Sequence, residues 1–131
     1  MRLIFLIWVL FVSLEANSVW WRSNFDEAHH EAVRNSKKLM VLLIEENSPT
    51  NKKILINTFM NKEYIEKINK EYISILVVKN QKNTYPIELL YTIDYPSVFF
   101  LDNLEVYLCK PLRGLSNISA DRLRAHLKEC K

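Results

Sequence analysis

The sequence predicts an α/β fold, a central mixed sheet flanked by helices, and three observations carry that reading. Lys38-Leu39-Met40-Val41-Leu42-Leu43-Ile44 and Tyr72-Ile73-Ser74-Ile75-Leu76-Val77-Val78 are near-continuous apolar runs. Such runs suit parallel strands that are covered on both faces. Apolar residues at helical spacing precede and separate them, which makes a strand–helix–strand unit. A third run, Tyr95 to Leu101, is followed by Asp102-Asn103 and then by Glu105-Val106-Tyr107-Leu108-Cys109. That pattern predicts a hairpin returning antiparallel at the edge of the sheet.

The chain opens on a targeting segment. Arg2 precedes the unbroken apolar run Leu3 to Val12, and Ser13-Leu14-Glu15-Ala16 offers a small residue for cleavage before Asn17. Spanning a bilayer takes about 20 apolar residues, so this run has the length of a signal-peptide core. Retention as an uncleaved anchor is the rival reading, and a membrane contact is expected only in that case. Met1 to Ala16 are therefore set apart as a signal peptide, and residues 17–131 are expected to form one exported domain, periplasmic or secreted. With 49% hydrophobic residues the 131-residue chain can bury a core. A formal net charge of +3 without a basic block argues against nucleic acid as a partner, and a single glycine excludes a glycine-rich phosphate loop.

A helix is expected from about Asn24 to Ser36. Phe25, Ala28, Ala32 and Val33 recur at helical spacing, and Asn24 with Glu27 has the spacing of a capping box. His29 shares that apolar face and His30 points away from it. Neighbours on a helix diverge by about 100°, so the pair makes no metal site. Lys52 to Phe59 starts a second helix, and Asn61 restarts helix through Tyr64, Ile65 and Ile68 to Asn69. Lys79 to Thr84 reads as a loop, and Pro86 opens a short helix through Leu89, Leu90 and Tyr91. Pro96 stands at the opening of the third strand, the position where a strand tolerates proline. The last helix starts at Ser119, with Asp121 near its positive end, Leu123 and Leu127 as its buried stripe, and Ile118 placed to staple onto Leu123. His126 lies on this helix without an evident partner.

Four local patterns carry a resemblance. They are Phe25-x-x-Ala28 to Ala32 followed by Lys38-Leu39-Met40-Val41; the junction Ser48 to Lys53; the string Tyr95-Pro96-Ser97-Val98-Phe99-Phe100-Leu101-Asp102; and Arg113-Gly114 before the last helix. On these, from Trp20-Trp21 to about Leu127, the sequence resembles the thioredoxin-like family, in its bacterial secreted branch. The resemblance implies a thioredoxin-like fold and a cis Pro96 beside the active site. There Tyr95 and Pro96 would offer backbone to an extended peptide, in the manner of an added strand.

The resemblance also places a Cys-x-x-Cys motif at the junction, and here the two departures begin. Ser48 and Asn51 stand at the cysteine positions, with Pro49, Thr50 and Lys52-Lys53 around them. Exchange needs a thiolate that attacks a sulfur and a second thiol that resolves the mixed disulfide. A serine hydroxyl without a base is not ionised near neutral pH, and asparagine has no thiol. Leu42 occupies the position where many thioredoxins carry a buried acid. Ser48, Pro49, Thr50 and Asn51 are thus degenerate redox-motif positions. They read either as a plain strand-to-helix turn, with Ser48 as N-cap and Pro49 in the first helical position, or as a retained binding surface.

Cys109 and Cys130 are the chain's two cysteines. In an oxidising compartment an even pair is more often bridged than free. A final helix of about ten residues runs back roughly 15 Å, enough to bring Cys130 level with Cys109. A structural disulfide is the favoured reading; two unpaired thiols and a catalytic pair are the alternatives. Asn117-Ile118-Ser119 matches a glycosylation acceptor, a pattern frequent by chance. The sequence therefore predicts an exported thioredoxin-fold module with no assigned catalytic residue, metal or cofactor, whose partner is extended polypeptide or an envelope protein. A thiol–disulfide oxidoreductase of the cell envelope that uses Cys109 and Cys130 is the alternative.

Overall fold

The computed structural model describes residues 18–46, 58–59, 62–79 and 85–130, without the side chains of Lys62 and Glu63. The expected signal segment, the Ser48 to Asn51 junction and most of the helix after it lie outside these residues. Five strands form one sheet: β1 (Trp21–Arg22), β2 (Lys38–Ile44), β3 (Tyr72–Val78), β4 (Ser97–Leu101) and β5 (Leu112–Arg113). Across the sheet they run β1-β3-β2-β4-β5. β2 pairs in parallel with β3, from Lys38↔Tyr72 to Ile44↔Val78, and antiparallel with β4, from Leu39↔Leu101 to Leu43↔Ser97. The α-helices of the described residues are α1 (Phe25–Asn35), α2 (Lys62–Glu71) and α3 (Ala120–Glu129). Among the described residues no helix is long and apolar enough to cross a membrane.

Alternation along the strands divides the core in two. Leu39, Val41 and Leu43 of β2 join Ile73, Ile75 and Val77 of β3 and Phe99 of β4 against Phe25, Ala28 and Ala32 of α1. Met40, Leu42 and Ile44 point the other way, with Val98 and Phe100, onto Tyr64, Ile65 and Ile68 of α2 and Leu123 and Leu127 of α3. Successive strand residues face opposite sides, so a strand covered twice must be apolar throughout. That is the physical reason for the continuous runs. Each fully buried Leu, Ile or Phe contributes about 1.5–3 kcal/mol relative to exposure.

Caps set the helix ends as expected. Asn24 Oδ1 accepts from the Glu27 N–H at 3.0 Å, and Ser36 ends α1 in the left-handed conformation with its N–H on the Ala32 and Val33 carbonyls. Ser119 Oγ accepts from the Arg122 N–H at 3.2 Å at the start of α3. Ile118 and Leu123 share one buried cluster, as the staple requires.

Several expectations are corrected. Val33 was placed on the apolar face of α1 but is 52% exposed. The adjacent Ala32 faces the sheet, and one helical step turns Val33 to solvent. The segment after Pro86 makes a single turn, with Leu90 N–H on the Pro86 carbonyl at 3.0 Å, and no helix follows. The third strand begins at Ser97, after the cis Tyr95–Pro96 bond. The return expected at Glu105–Cys109 reduces to one antiparallel bridge, Leu101↔Tyr107. Asp102 Oδ1 accepts from the N–H groups of Leu104 and Val106, and Glu105 takes a positive φ of 62°, so the chain turns tightly and leaves the ladder. Pairing resumes at β5, through Ser97↔Arg113 and Val98↔Leu112. The edge strand β1 is also new. Arg22 holds it to α1 through paired bonds to Glu31, Nε to Oε1 at 3.1 Å and Nη2 to Oε2 at 2.6 Å.

Candidate functional site

Of the residues singled out from the sequence, Tyr95 and Pro96 lie together at the opening of β4, and their peptide bond is cis. Two short-range links and two from the end of β5 build this corner. Ser97, fully buried, donates from Oγ to the Asp94 carbonyl at 2.6 Å, and Thr92 Oγ1 accepts from the Asp94 N–H at 3.1 Å. From the neighbouring strand end, the Gly114 N–H donates to the Pro96 carbonyl at 2.9 Å. Arg113 reaches back with Nη1 to the Tyr91 carbonyl at 2.8 Å and lays its guanidinium over the Phe99 ring. The backbone on both sides of Pro96 is thereby fixed from its own loop and from β5.

Tyr95 itself precedes the paired register, which starts at Leu43↔Ser97. Its ring is half-buried beneath Lys79, whose Nζ lies 4.8 Å from the ring centroid. Burial pushes its phenol above the ordinary tyrosine range, and the charges of Glu45 and Tyr91 push the same way. Tyr95 is therefore a neutral donor and an apolar surface at physiological pH. The loop leading into it carries Ile87, Tyr91 and Ile93, which are 62%, 65% and 79% exposed. These three apolar side chains thus stand in solvent on the loop that leads into the ordered Pro96 backbone.

Leu42 is fully buried and paired with Leu76 and Val98, so the position expected to carry an acid is packed as core. Ser48, Pro49, Thr50 and Asn51 lie outside the described residues.

Cys109 and Cys130 are joined in a disulfide with a Cα–Cα separation of 5.5 Å, and no described cysteine is free. Cys109 was placed on the last strand; it lies instead between the Tyr107 bridge and β5, half-buried, while Cys130 is fully buried at the C-cap of α3. His126, which looked partnerless in the sequence, stands beside them. Its Nε2 meets the Lys110 carbonyl at 3.0 Å, and its ring packs on Phe100 at 5.5 Å between centroids. The signal was available as the four-residue step from His126 to Cys130, one helical turn. The bridge lies on the far core face from the α1 helix, in the cluster with Leu123 and Leu127. His29 is half-buried as expected; it bonds the Asn103 carbonyl at 2.7 Å and faces Glu105 at 3.3 Å, which ties α1 to the Asp102–Val106 turn.

No family model matches the chain, and no curated relative matches it. Solved structures do. A thioredoxin from Thermus thermophilus is 13% identical, with a TM-score of 0.64 over 85% of each chain. A DsbH oxidoreductase is 16% identical, with a TM-score of 0.61 over 86% of this chain and 87% of its own. The short form of thioredoxin f from spinach chloroplast is 14% identical, with a TM-score of 0.57 over 88% of this chain and 96% of its own. The strand order, the mixed pairing and these superpositions establish a thioredoxin-like fold.

Proposed function

From a thioredoxin-like fold whose two cysteines are joined to each other, we propose a module that binds extended polypeptide without thiol exchange. The observation that carries this reading is the Tyr95–Pro96 corner. Its position beyond the β2–β4 ladder and the exposed Ile87, Tyr91 and Ile93 of the loop leading into it set an ordered backbone edge next to apolar side chains. An extended segment can lay its main chain along such an edge and its side chains on the apolar loop. The same reading includes export, motivated by the Met1 to Ala16 segment and by a cysteine pair that is bridged.

The enzymatic alternative would use Cys109 and Cys130, with the half-exposed Cys109 as the sulfur under attack. The departing thiolate would then be Cys130, at the C-cap of α3, where the helix dipole is negative and disfavours the anion. That placement favours the binding reading.

Insulin reduction with dithiothreitol separates the two. The expected rate is background, and a catalysed rate abolished by Cys130→Ser would overturn the proposal. Binding is read by titrating a fluorescent extended apolar peptide into the full chain. Ile93→Asp is expected to weaken it at least fivefold, and equal binding by this variant would remove the apolar loop from the site. Intact mass of the exported protein, with thiol alkylation, tests both cleavage near Ala16 and the absence of free thiols.

A further inference from the structure

The side chains of Cys109, His126 and Cys130 each offer one ligand atom, and these three atoms all lie within 4.8 Å of one another. While the bridge is closed the sulfurs have no thiolate to give. We propose that reducing the bridge opens a Cys2His site for Zn2+, with Cys109, Cys130 and His126 as its protein ligands.

Four observations support the site. Zn2+ takes sulfur at about 2.3 Å and imidazole nitrogen at about 2.0–2.1 Å, which sets tetrahedral ligand atoms roughly 3.5 Å apart. Atoms now within 4.8 Å reach that spacing by side-chain rotation, and the half-exposed Cys109 is the one at the surface. His126 and Cys130 are four residues apart at the end of α3, so they share one helical face. The partial negative charge of that helix end favours a cation. Finally, the His126 Nε2–H bond to the Lys110 carbonyl at 3.0 Å leaves Nδ1 with the free lone pair, and Phe100 covers the ring on its apolar side. A zinc-ligating histidine commonly has its other nitrogen held by a carbonyl in this way.

The chemistry balances with an external dithiol as reductant. Its two sulfurs leave as a disulfide, and Cys109 and Cys130 gain the two electrons and two protons. Zn2+ then displaces both protons as the thiolates bind it, and the imidazole nitrogen completes three protein ligands, with water in the fourth position. Metal and bridge would thus hold the same two segments together, the bridge under oxidising conditions and the metal under reducing ones.

The test uses the full chain, reduced anaerobically with a phosphine that has no thiol to compete, and Co2+ as the spectroscopic probe. One equivalent is expected to give thiolate-to-cobalt charge-transfer absorption and tetrahedral ligand-field bands, which Zn2+ abolishes; the oxidised chain is expected to give neither. Chelator competition is expected to show Zn2+ held at least tenfold more weakly by His126→Ala. Zn2+ is also expected to raise the melting temperature of the reduced chain. Absent cobalt bands, or equal affinity in His126→Ala, would overturn the site. So would a reduced chain that loses its circular dichroism and does not regain it with Zn2+.

Discussion

At Gly114 the backbone, and not the available space, decides what residue is possible. Its φ of 84° and ψ of 155° fall in a region essentially reserved for glycine. An added Cβ would meet only Asp94 Cβ at 3.8 Å, an ordinary contact. Gly114→Ala is therefore expected to cost about 1–3 kcal/mol through strain alone. The expected readout is a lower urea midpoint with an unchanged slope, and an unchanged midpoint would show that the loop relaxes freely. Because the Gly114 N–H holds the Pro96 carbonyl, that strain falls on the corner proposed to bind peptide. Ser74 presents the opposite case. Its hydroxyl is buried in β3 and, among the described residues, has no hydrogen-bond partner. Leaving a buried hydroxyl unsatisfied costs about 1–3 kcal/mol, so Ser74→Ala is expected to raise the free energy of unfolding by about 1 kcal/mol. A drop of that size would mean that the hydroxyl is satisfied in solution.

Among the elements, α3 depends most visibly on a covalent tie. The Cys109–Cys130 bridge spans 21 residues of sequence and joins the end of α3 to the segment between β4 and β5. In the chain-entropy model a loop of this size is worth about 3 kcal/mol. The double variant Cys109→Ser with Cys130→Ser is expected to lose that much in equilibrium unfolding, and a loss below about 1 kcal/mol would mean that the burial of Leu123 and Leu127 suffices to dock the helix. The elements also differ in how far the sequence revealed them. β2 and β3 were legible because burial on both faces forces an unbroken apolar run, and α1 and α3 because caps and periodicity agree. The Glu105–Cys109 return was read as a strand from its apolar residues. What prevents it is a turn held by Asp102 and a positive φ at Glu105, and neither leaves a hydrophobic signature. β1 and β5 are two residues each, too short to impose any period.

On the scale of the whole molecule, the candidate site was only partly legible for the same reason. Pro96 could be placed from one specific string, but the His126–Cys109–Cys130 cluster exists only once α3 folds back on the sheet. The two-sided core that creates these juxtapositions also sets the response to pH. On the acid side, the hydrogen bond from Arg22 holds the Glu31 carboxyl below its ordinary range, so the stability it lends is present above that range and is lost as pH falls. The alkaline side is governed by Tyr72, the first residue of β3, fully buried against Phe100 with its hydroxyl donating to the Cys130 carbonyl at 3.4 Å. Burial, with the nearby charge of Glu71, pushes its phenol up to about 12. Between an unfolded value of about 10 and this folded value, the folded chain keeps a proton that the unfolded chain has released. Stability from this group is complete below about pH 10 and is lost as pH rises through 12, by about 3 kcal/mol in all. Tyr72→Phe removes the titration. Urea unfolding at about pH 9.5 and about pH 11.5 is therefore expected to show the unmodified chain losing about 2 kcal/mol more than the variant over that interval. Parallel losses in the two proteins would show that the phenol can ionise in place, and that this face of the core admits water.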